Sequence, residues 1–147
     1  MSLQTTYTGI FNYLQTSFNT SLPTTQQMQE WQFGDGNAVN GNYPLCRVIF
    51  ANGEIVDQTA SYFVTGEDMF VYFFFNTLSQ SDMLGFVDSF LNWWYPQNQT
   101  FAQPSIIKSE FIDYAIGKDP SGSLTNNSNA LLVAGFKFNL ECQQNVY

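Results

Sequence analysis

The sequence contains no histidine, and its 147 residues include only four basic residues against twelve acidic ones. Without histidine, the chain lacks the commonest general base and metal ligand. Four basic side chains are too few to neutralise a row of phosphates, so the composition excludes a nucleic-acid binder that works by charge neutralisation. Charged residues make up only 11% of the chain. Asn, Gln, Ser and Thr must therefore supply most of the polar surface.

Long hydrophobic runs are also absent. The densest apolar stretch, Met69–Phe75, is far shorter than the roughly 20 residues of a membrane-spanning helix. The first basic residue is Arg47, so no basic region precedes an apolar run as in a secretory signal. These features predict a protein made in the cytosol with no membrane partner. In that reducing compartment, Cys46 and Cys142 are expected to be buried thiols rather than a disulfide.

Aromatic side chains, in contrast, are abundant. They form 18% of the chain, with 15 Phe, and apolar residues form 44%. A disordered chain would be poor in aromatic residues, so this composition indicates a folded protein with ample material for a core. The length suits one compact domain, 1–147.

Two segments have the periodicity of amphipathic helices. Apolar residues recur every three or four positions over Tyr7–Phe18, and Pro23 stops any continuation. The same spacing recurs over Met83–Trp94, where Ser79 or Ser81 can cap the helix before Pro96 ends it.

The remaining segments favour strands. Leu45–Phe50 is followed by Asn52-Gly53, a strong signal for a tight hairpin turn, and Ile55 begins the return strand. Gln26–Phe33 is compatible with either a short strand or a helical turn.

Three further strands are expected after this hairpin. Asp68–Phe75 is apolar on both faces, which requires a central, covered strand. Ile106–Ile116 and Leu131–Leu140 alternate apolar and polar residues around a long Gly, Ser and Asn loop. The order of elements predicts an α+β domain with a mainly antiparallel sheet and two helices packed on one face.

In this arrangement, no helix covers the second face of the sheet. Two helices cover one face, yet the central strand presents Phe70, Tyr72 and Phe74 to the other. Burying apolar surface stabilises a protein by roughly 25 cal/mol per Å². Leaving three aromatic rings exposed therefore forgoes several kcal/mol of this stabilisation and favours association. We therefore predict a homo-oligomer in which this second face, or the sheet edge, packs against another subunit.

Catalytic signals are weak. The sequence has no G-x-S-x-G motif, and Glu110 and Asp113 have opposite parity in a strand, so they are expected to point to different faces. Trp31 and Trp93–Tyr95 are compatible with a sugar-stacking platform, although core packing is the favoured interpretation. We predict no enzyme, cofactor or metal site.

The acidic balance permits two interpretations. Carboxylates keep a Phe-rich protein soluble. A ring that lets DNA pass without binding it also needs an electronegative channel, because basic walls would bind phosphates. The candidates for such a wall are Asp57, Glu67, Asp68, Asp113 and Asp119.

The order of these elements resembles that of the tail terminator (tail completion) proteins of tailed bacteriophages. The resemblance rests on the following elements in order: the N-terminal helix up to Leu22-Pro23, the hairpin from Leu45–Phe50 through Asn52-Gly53, the strand Met69–Phe75, the helix over Asp82–Trp94, and the paired strands Ile106–Ile116 and Leu131–Leu140 around a long loop. It covers nearly the whole chain and lies in element order, length and patterning, not in a motif.

The resemblance implies a homohexameric ring located in the virion. Such a ring caps the tail tube, ends tail polymerisation, joins the tail to the head connector and lets DNA through without specific binding. Its partners would be the tail tube protein and the head–tail connector. Phe70, Tyr72 and Phe74 are the predicted subunit interface. The alternatives are a head–tail adaptor of the neck and, from another class, a carbohydrate- or receptor-binding module; an acidic hydrolase is more distant.

Overall fold

The computed structural model describes residues 3–34, 42–76, 78–118 and 132–145. These residues form an α+β domain with two helices and a five-stranded, mostly antiparallel sheet. The strands are β1 (Glu30–Phe33), β2 (Leu45–Gln58), β3 (Tyr62–Phe75), β4 (Ile106–Lys118) and β5 (Leu132–Asn145). Their order across the sheet is β1-β2-β3-β5-β4, and β1 runs parallel to β2. The α+β class and the mainly antiparallel sheet are confirmed.

The N-terminal helix follows the predicted periodicity. It is α-helical over Leu3–Tyr13, π-helical over Leu14–Phe18, and ends in an α-helical turn, Asn19–Ser21. Its fully buried apolar positions lie three or four residues apart, as an amphipathic helix requires: Ile10, Leu14 and Phe18.

The second helix (Gln80–Trp94) begins at a complete capping box. The Ser79 hydroxyl accepts a hydrogen bond from the Asp82 backbone N–H, and the Asp82 carboxylate accepts one from the Ser79 N–H. Of the two serines that the sequence offered as caps, Ser79 fills the role. The buried stripe of this helix includes Met83, Phe86 and Phe90.

The central position of the aromatic strand is confirmed. β3 pairs with β2 on one side and with β5 on the other, and it begins at Tyr62, well before the predicted Asp68. The ambiguous segment ending at Phe33 supplies the short strand β1.

The predicted hairpin turn at Asn52-Gly53 is wrong. β2 continues through these residues, and the chain reverses only at residues 59–61, where the Thr59 N–H donates to the Tyr62 carbonyl. Asn52 has the positive φ (57°) that the turn signal requires, but it serves a β-bulge between Ala51 and Glu54. A local preference for positive φ therefore specifies the conformation of Asn52 without specifying a chain reversal.

The pleat divides the side chains of the sheet between two faces. The first face carries the main core, whose sheet members are Cys46, Val48, Met69, Val71, Phe73, Phe75, Ala134, Phe136, Phe138 and Leu140. The second face carries Leu45, Phe70, Tyr72, Phe74 and Lys137, as the strand register shows.

The capping box provides a test of helix stability. Replacing Ser79 by Ala leaves the Asp82 backbone N–H without its side-chain acceptor, which costs about 1 kcal/mol of unfolding free energy. Ser89→Ala is the matched control, because Ser89 is exposed in the same helix and bonds only to the Gly85 carbonyl. Chemical denaturation of both variants measures the difference; equal losses would contradict the capping role.

Candidate assembly surface

An aromatic row runs along β3 on the second face. The rings of Phe70 and Tyr72 are almost parallel, with an interplanar angle of 3° and a centroid separation of 6.2 Å. Phe74 follows, with its centroid 6.4 Å from that of Tyr72. The alternation of the strand therefore gathers the three predicted interface residues on one surface.

The three rings differ in how much the chain itself covers them. Phe74 is fully buried in a small cluster with Leu45 and Val133, against which Tyr43 and Tyr72 pack. The expectation that Phe74 needs a neighbouring subunit to bury it is therefore wrong. Phe70 and Tyr72 are only half-buried, so they remain the part of the row that a partner could cover.

A groove of about 200 Å³ lies beside this row. Tyr72 lies against Gly135, where an added Cβ would come within 3.1 Å of the ring. The Lys137 ammonium stands 5.6 Å from the centroid of Phe70, a cation–π contact. The groove is lined by Phe70, Tyr72, Asp113, Tyr114, Ala115, Gly135, Phe136 and Lys137.

The register puts three of the predicted acidic residues on the second face. Asp57 pairs with Val64 near the far end of β2, Asp68 lies on β3, and Asp113 pairs with Lys137. Asp57 and Asp113 are exposed, and Asp68 is half-exposed. Asp68 accepts hydrogen bonds from the side chains of Asn52 and Asn139, and these bonds lower its pKa. Asp119 lies outside the described residues.

Glu67 does not fit the predicted acidic wall. It is 7% exposed and pairs with Leu140 on the first face, inside the protein. The Tyr7 hydroxyl lies beside its carboxylate and interacts with it, although no well-aligned hydrogen bond joins them. Burial raises the pKa of Glu67, and the charge of Asp68 adds to the rise. A carboxylate enclosed in this way does not face a channel.

Other buried polar groups surround Glu67. Burial, helped by the charge of Glu67, raises the pKa of Cys142 to about 12. The Thr65 hydroxyl and both polar atoms of the Gln144 side chain are buried without a hydrogen-bond partner within the described chain. Gly53 passes directly over the carboxylate, since an added Cβ would lie 2.8 Å from both of its oxygens. This end of the core is therefore polar and tightly enclosed.

The structure describes the groups that were considered for catalysis or metal binding. The bulge between Phe111 and Asp113 brings Glu110 and Asp113 to the same face, so the expectation of opposite faces is wrong. Among the described residues, no three His, Cys, Asp or Glu side chains are grouped to hold a metal ion. Cys46 and Cys142 are buried free thiols.

The aromatic residues considered as a sugar platform differ in exposure: Trp94 is buried, Trp31 and Trp93 are half-buried, and Tyr95 is exposed. Trp94 is buried against Phe138, and the Trp93 ring nitrogen donates to the Ser17 hydroxyl. Trp31 packs edge-on against Phe11 of the N-terminal helix. Core packing, the favoured interpretation of these residues, accounts for their contacts.

Comparison with known proteins does not assign the chain to a family. Neither the protein-family models nor the curated proteins compared with the chain give a match. In the described ranges, no helix has both the length and the apolar character needed to cross a membrane.

The sequence interpretation missed the apolar side chains at the sheet edges. Val56, Ile107 and Ile112 occupy positions where β-bulges shift the register, and all three are exposed. The available signal was the adjacent apolar pairs, Ile55-Val56 and Ile106-Ile107, which break strict alternation.

The enclosed Glu67 predicts a pH effect on stability. Because its pKa is higher in the folded chain than in the unfolded one, the folded chain holds more protons between those two values. The contribution of Glu67 to stability is therefore present below the ordinary carboxyl pKa and lost as the pH rises through the raised pKa. Glu67→Gln should remove that decline and be more stable than the wild type at neutral pH.

Urea denaturation of the wild type and of Glu67→Gln across this pH range measures the effect. Glu110→Gln is the control, because Glu110 is exposed on β4. If the unfolding free energies of the wild type and of Glu67→Gln changed with pH in the same way, the burial of Glu67 would have no pH-dependent effect on stability.

Proposed function

We propose that the chain is a structural assembly protein of a tailed-bacteriophage virion: a tail terminator. It forms a homohexameric ring that caps the tail tube, ends tail polymerisation and joins the tail to the head connector. The proposal is carried by one observation, the half-buried aromatic pair Phe70 and Tyr72 on the second face of the sheet. This surface suits a protein contact, because two half-buried aromatic rings lie among charged side chains such as Asp113 and Lys137, as in an interface with an aromatic centre and a polar rim.

In this proposal both helices cover the first face and leave the second to partners. Ring contacts support this division. Tyr7 of the N-terminal helix stacks on Phe50 at 4.0 Å between centroids. Phe90 of the second helix stacks on Phe136 at 4.2 Å. Phe18 of the N-terminal helix contacts Phe90 of the second helix and Phe73 of β3.

The net charge of −8 suits a ring that surrounds DNA without binding it. With Glu67 enclosed, this property rests on the overall excess of carboxylates, which includes Asp57, Asp68 and Asp113 on the second face. A head–tail adaptor of the neck would use the same surface and charge. The carbohydrate-binding alternative has less aromatic surface than the sequence suggested, since Trp94 is buried in the core and Trp93 packs against it.

Native mass spectrometry of the purified chain tests the proposal. A six-fold oligomer is expected, and Tyr72→Asp should shift it towards monomers because a carboxylate replaces half-buried aromatic area. Leu84→Asp is the matched control, since Leu84 is exposed on the second helix. The circular dichroism spectrum of each variant establishes that it is folded.

Three results have distinct meanings. A wild-type chain that stays monomeric at high concentration would overturn the ring. An oligomer that Tyr72→Asp leaves intact would remove the second face from the subunit contact. Specific binding of a glycan by a stable monomer would favour the carbohydrate-binding alternative.

A further inference from the structure

The first two turns of the N-terminal helix are weakly anchored to the core. The fully buried apolar side chains of this helix begin at Ile10. Before it, residues 3–8 bury only Thr6 completely; two of the other side chains are half-buried and three are exposed. Gly9 follows, where the Gln103 side chain occupies the place of a Cβ, and glycine weakens the interior of a helix. Residues 3–8, which we call the lid, therefore separate from the core more easily than the rest of the helix.

The lid covers the carboxylate of Glu67. The Tyr7 hydroxyl lies beside this carboxylate, and it also interacts with the Cys142 thiol on β5. A hydrogen bond between the Thr6 and Ser105 hydroxyls, 2.6 Å apart, fastens the same turn of the helix. The burial of Glu67 therefore depends on a segment that is itself held by few contacts.

No basic group in the described part of the chain compensates the charge of Glu67. The titratable groups that act on it are Tyr7 of the lid, Asp68 of β3 and Cys142 of β5. Gly53, the β2 residue over the carboxylate, has no side chain, and the N-terminal helix contains no charged side chain. An ionised Glu67 under a closed lid therefore lacks a counter-ion, which is unfavourable until water reaches it.

Unpaired polar groups close to Glu67 also favour opening. Thr65, two residues before Glu67 on the first face, pairs with Cys142, and Gln144 lies two residues beyond that cysteine on the same face. The hydroxyls of Tyr7 and Thr65 and both polar atoms of the Gln144 side chain are buried without a hydrogen-bond partner within the described chain. Because a buried polar group without a partner is unfavourable, water that enters under an open lid stabilises the open form.

We propose that the lid is a pH-sensitive switch: it stays closed over a protonated Glu67 and opens when Glu67 loses its proton. Burial raises the pKa of Glu67 in the closed form, whereas water restores the ordinary carboxyl pKa in the open form. Between these two values, each unit of pH increases the equilibrium constant for opening by about tenfold. Ile10 and the apolar residues after it keep the rest of the helix in place. This inference concerns the first face and does not rest on the proposed function.

The two native cysteines report on the lid. Cys142 lies beneath it, whereas Cys46 is buried elsewhere in the core, opposite Phe73. Burial raises the pKa of both thiols, so iodoacetamide, which reacts with the thiolate, modifies the closed protein slowly. As the pH rises through the raised pKa of Glu67, Cys142 should be alkylated increasingly faster than Cys46, as measured by peptide mass spectrometry.

Variants compared with the wild type at the same pH remove the intrinsic pH dependence of thiol chemistry. Glu67→Gln cannot ionise, so its Cys142 should stay protected where that of the wild type reacts. Glu110→Gln is the matched control, because Glu110 is exposed on β4, and it should behave as the wild type. Hydrogen exchange gives a second measurement, since in the α-helix the N–H groups of residues 7–12 bond to the carbonyls of the lid. After correction for the chemical exchange rate, these amides should lose protection as the pH rises, while those of the second helix keep it.

Each outcome decides for or against the lid. Alkylation of Cys142 ahead of Cys46 in the wild type, absent in Glu67→Gln, supports it. Equal alkylation of both cysteines, or equal loss of protection in both helices, would indicate unfolding of the whole chain and overturn the inference. It would also be overturned by a Cys142 that stays protected at every pH, or by a Glu67→Gln variant that reacts as fast as the wild type. The oligomeric state enters none of these results, so the proposed function is tested separately.

Discussion

The structure depends on the burial of β3 within the sheet. This strand is hydrogen-bonded on both sides, and its bulky side chains alternate between the two faces. One set, which includes Phe73, enters a core built by residues of both helices. The other set cannot enter that core, because alternation directs it to the opposite face. The second face therefore carries aromatic residues whether or not the chain itself can cover them.

The extent to which the chain covers the second-face side chains varies along β3. At one end, Leu45 and Val133 enclose Phe74 completely. Further along, Gly135 offers no side chain, so Tyr72 lies on bare backbone and retains exposed area. Lys137 then covers part of Phe70 with a charged group, which keeps that area compatible with water. Burial of the aromatic residues on this face is thus graded, and Phe70 and Tyr72 in its middle are only half-buried.

Periodicity and capping were sufficient to predict both helices and the central strand from the sequence. The stripe from Ile10 to Phe18 and the cap at Ser79 are local signals, and the structure confirms them. The bulges could not be predicted from the sequence, because one inserted residue changes the face of every later side chain in the strand without altering the composition. That single effect explains the misplaced turn at Asn52-Gly53 and the wrong faces assigned to Glu110 and Asp113. The burial of Glu67 was missed for a different reason: its surroundings are distant in the sequence, with Gly53 of the β2 bulge over its carboxylate and Tyr7, sixty residues away, beside it.

The bulges also have a geometric consequence for any closed assembly. Each inserted residue bends its strand and adds local twist, so four short irregularities of the backbone, two on β2 and two on β4, shape the outer strands of the sheet. If copies of the chain met at these strands, the irregularities would set the inclination between copies and hence the number that completes a circle. Deleting Ile112 would straighten one edge and alter the curvature without removing a buried side chain. The diameter of the opening would then be a property of strand irregularity, separable from the stability of the fold.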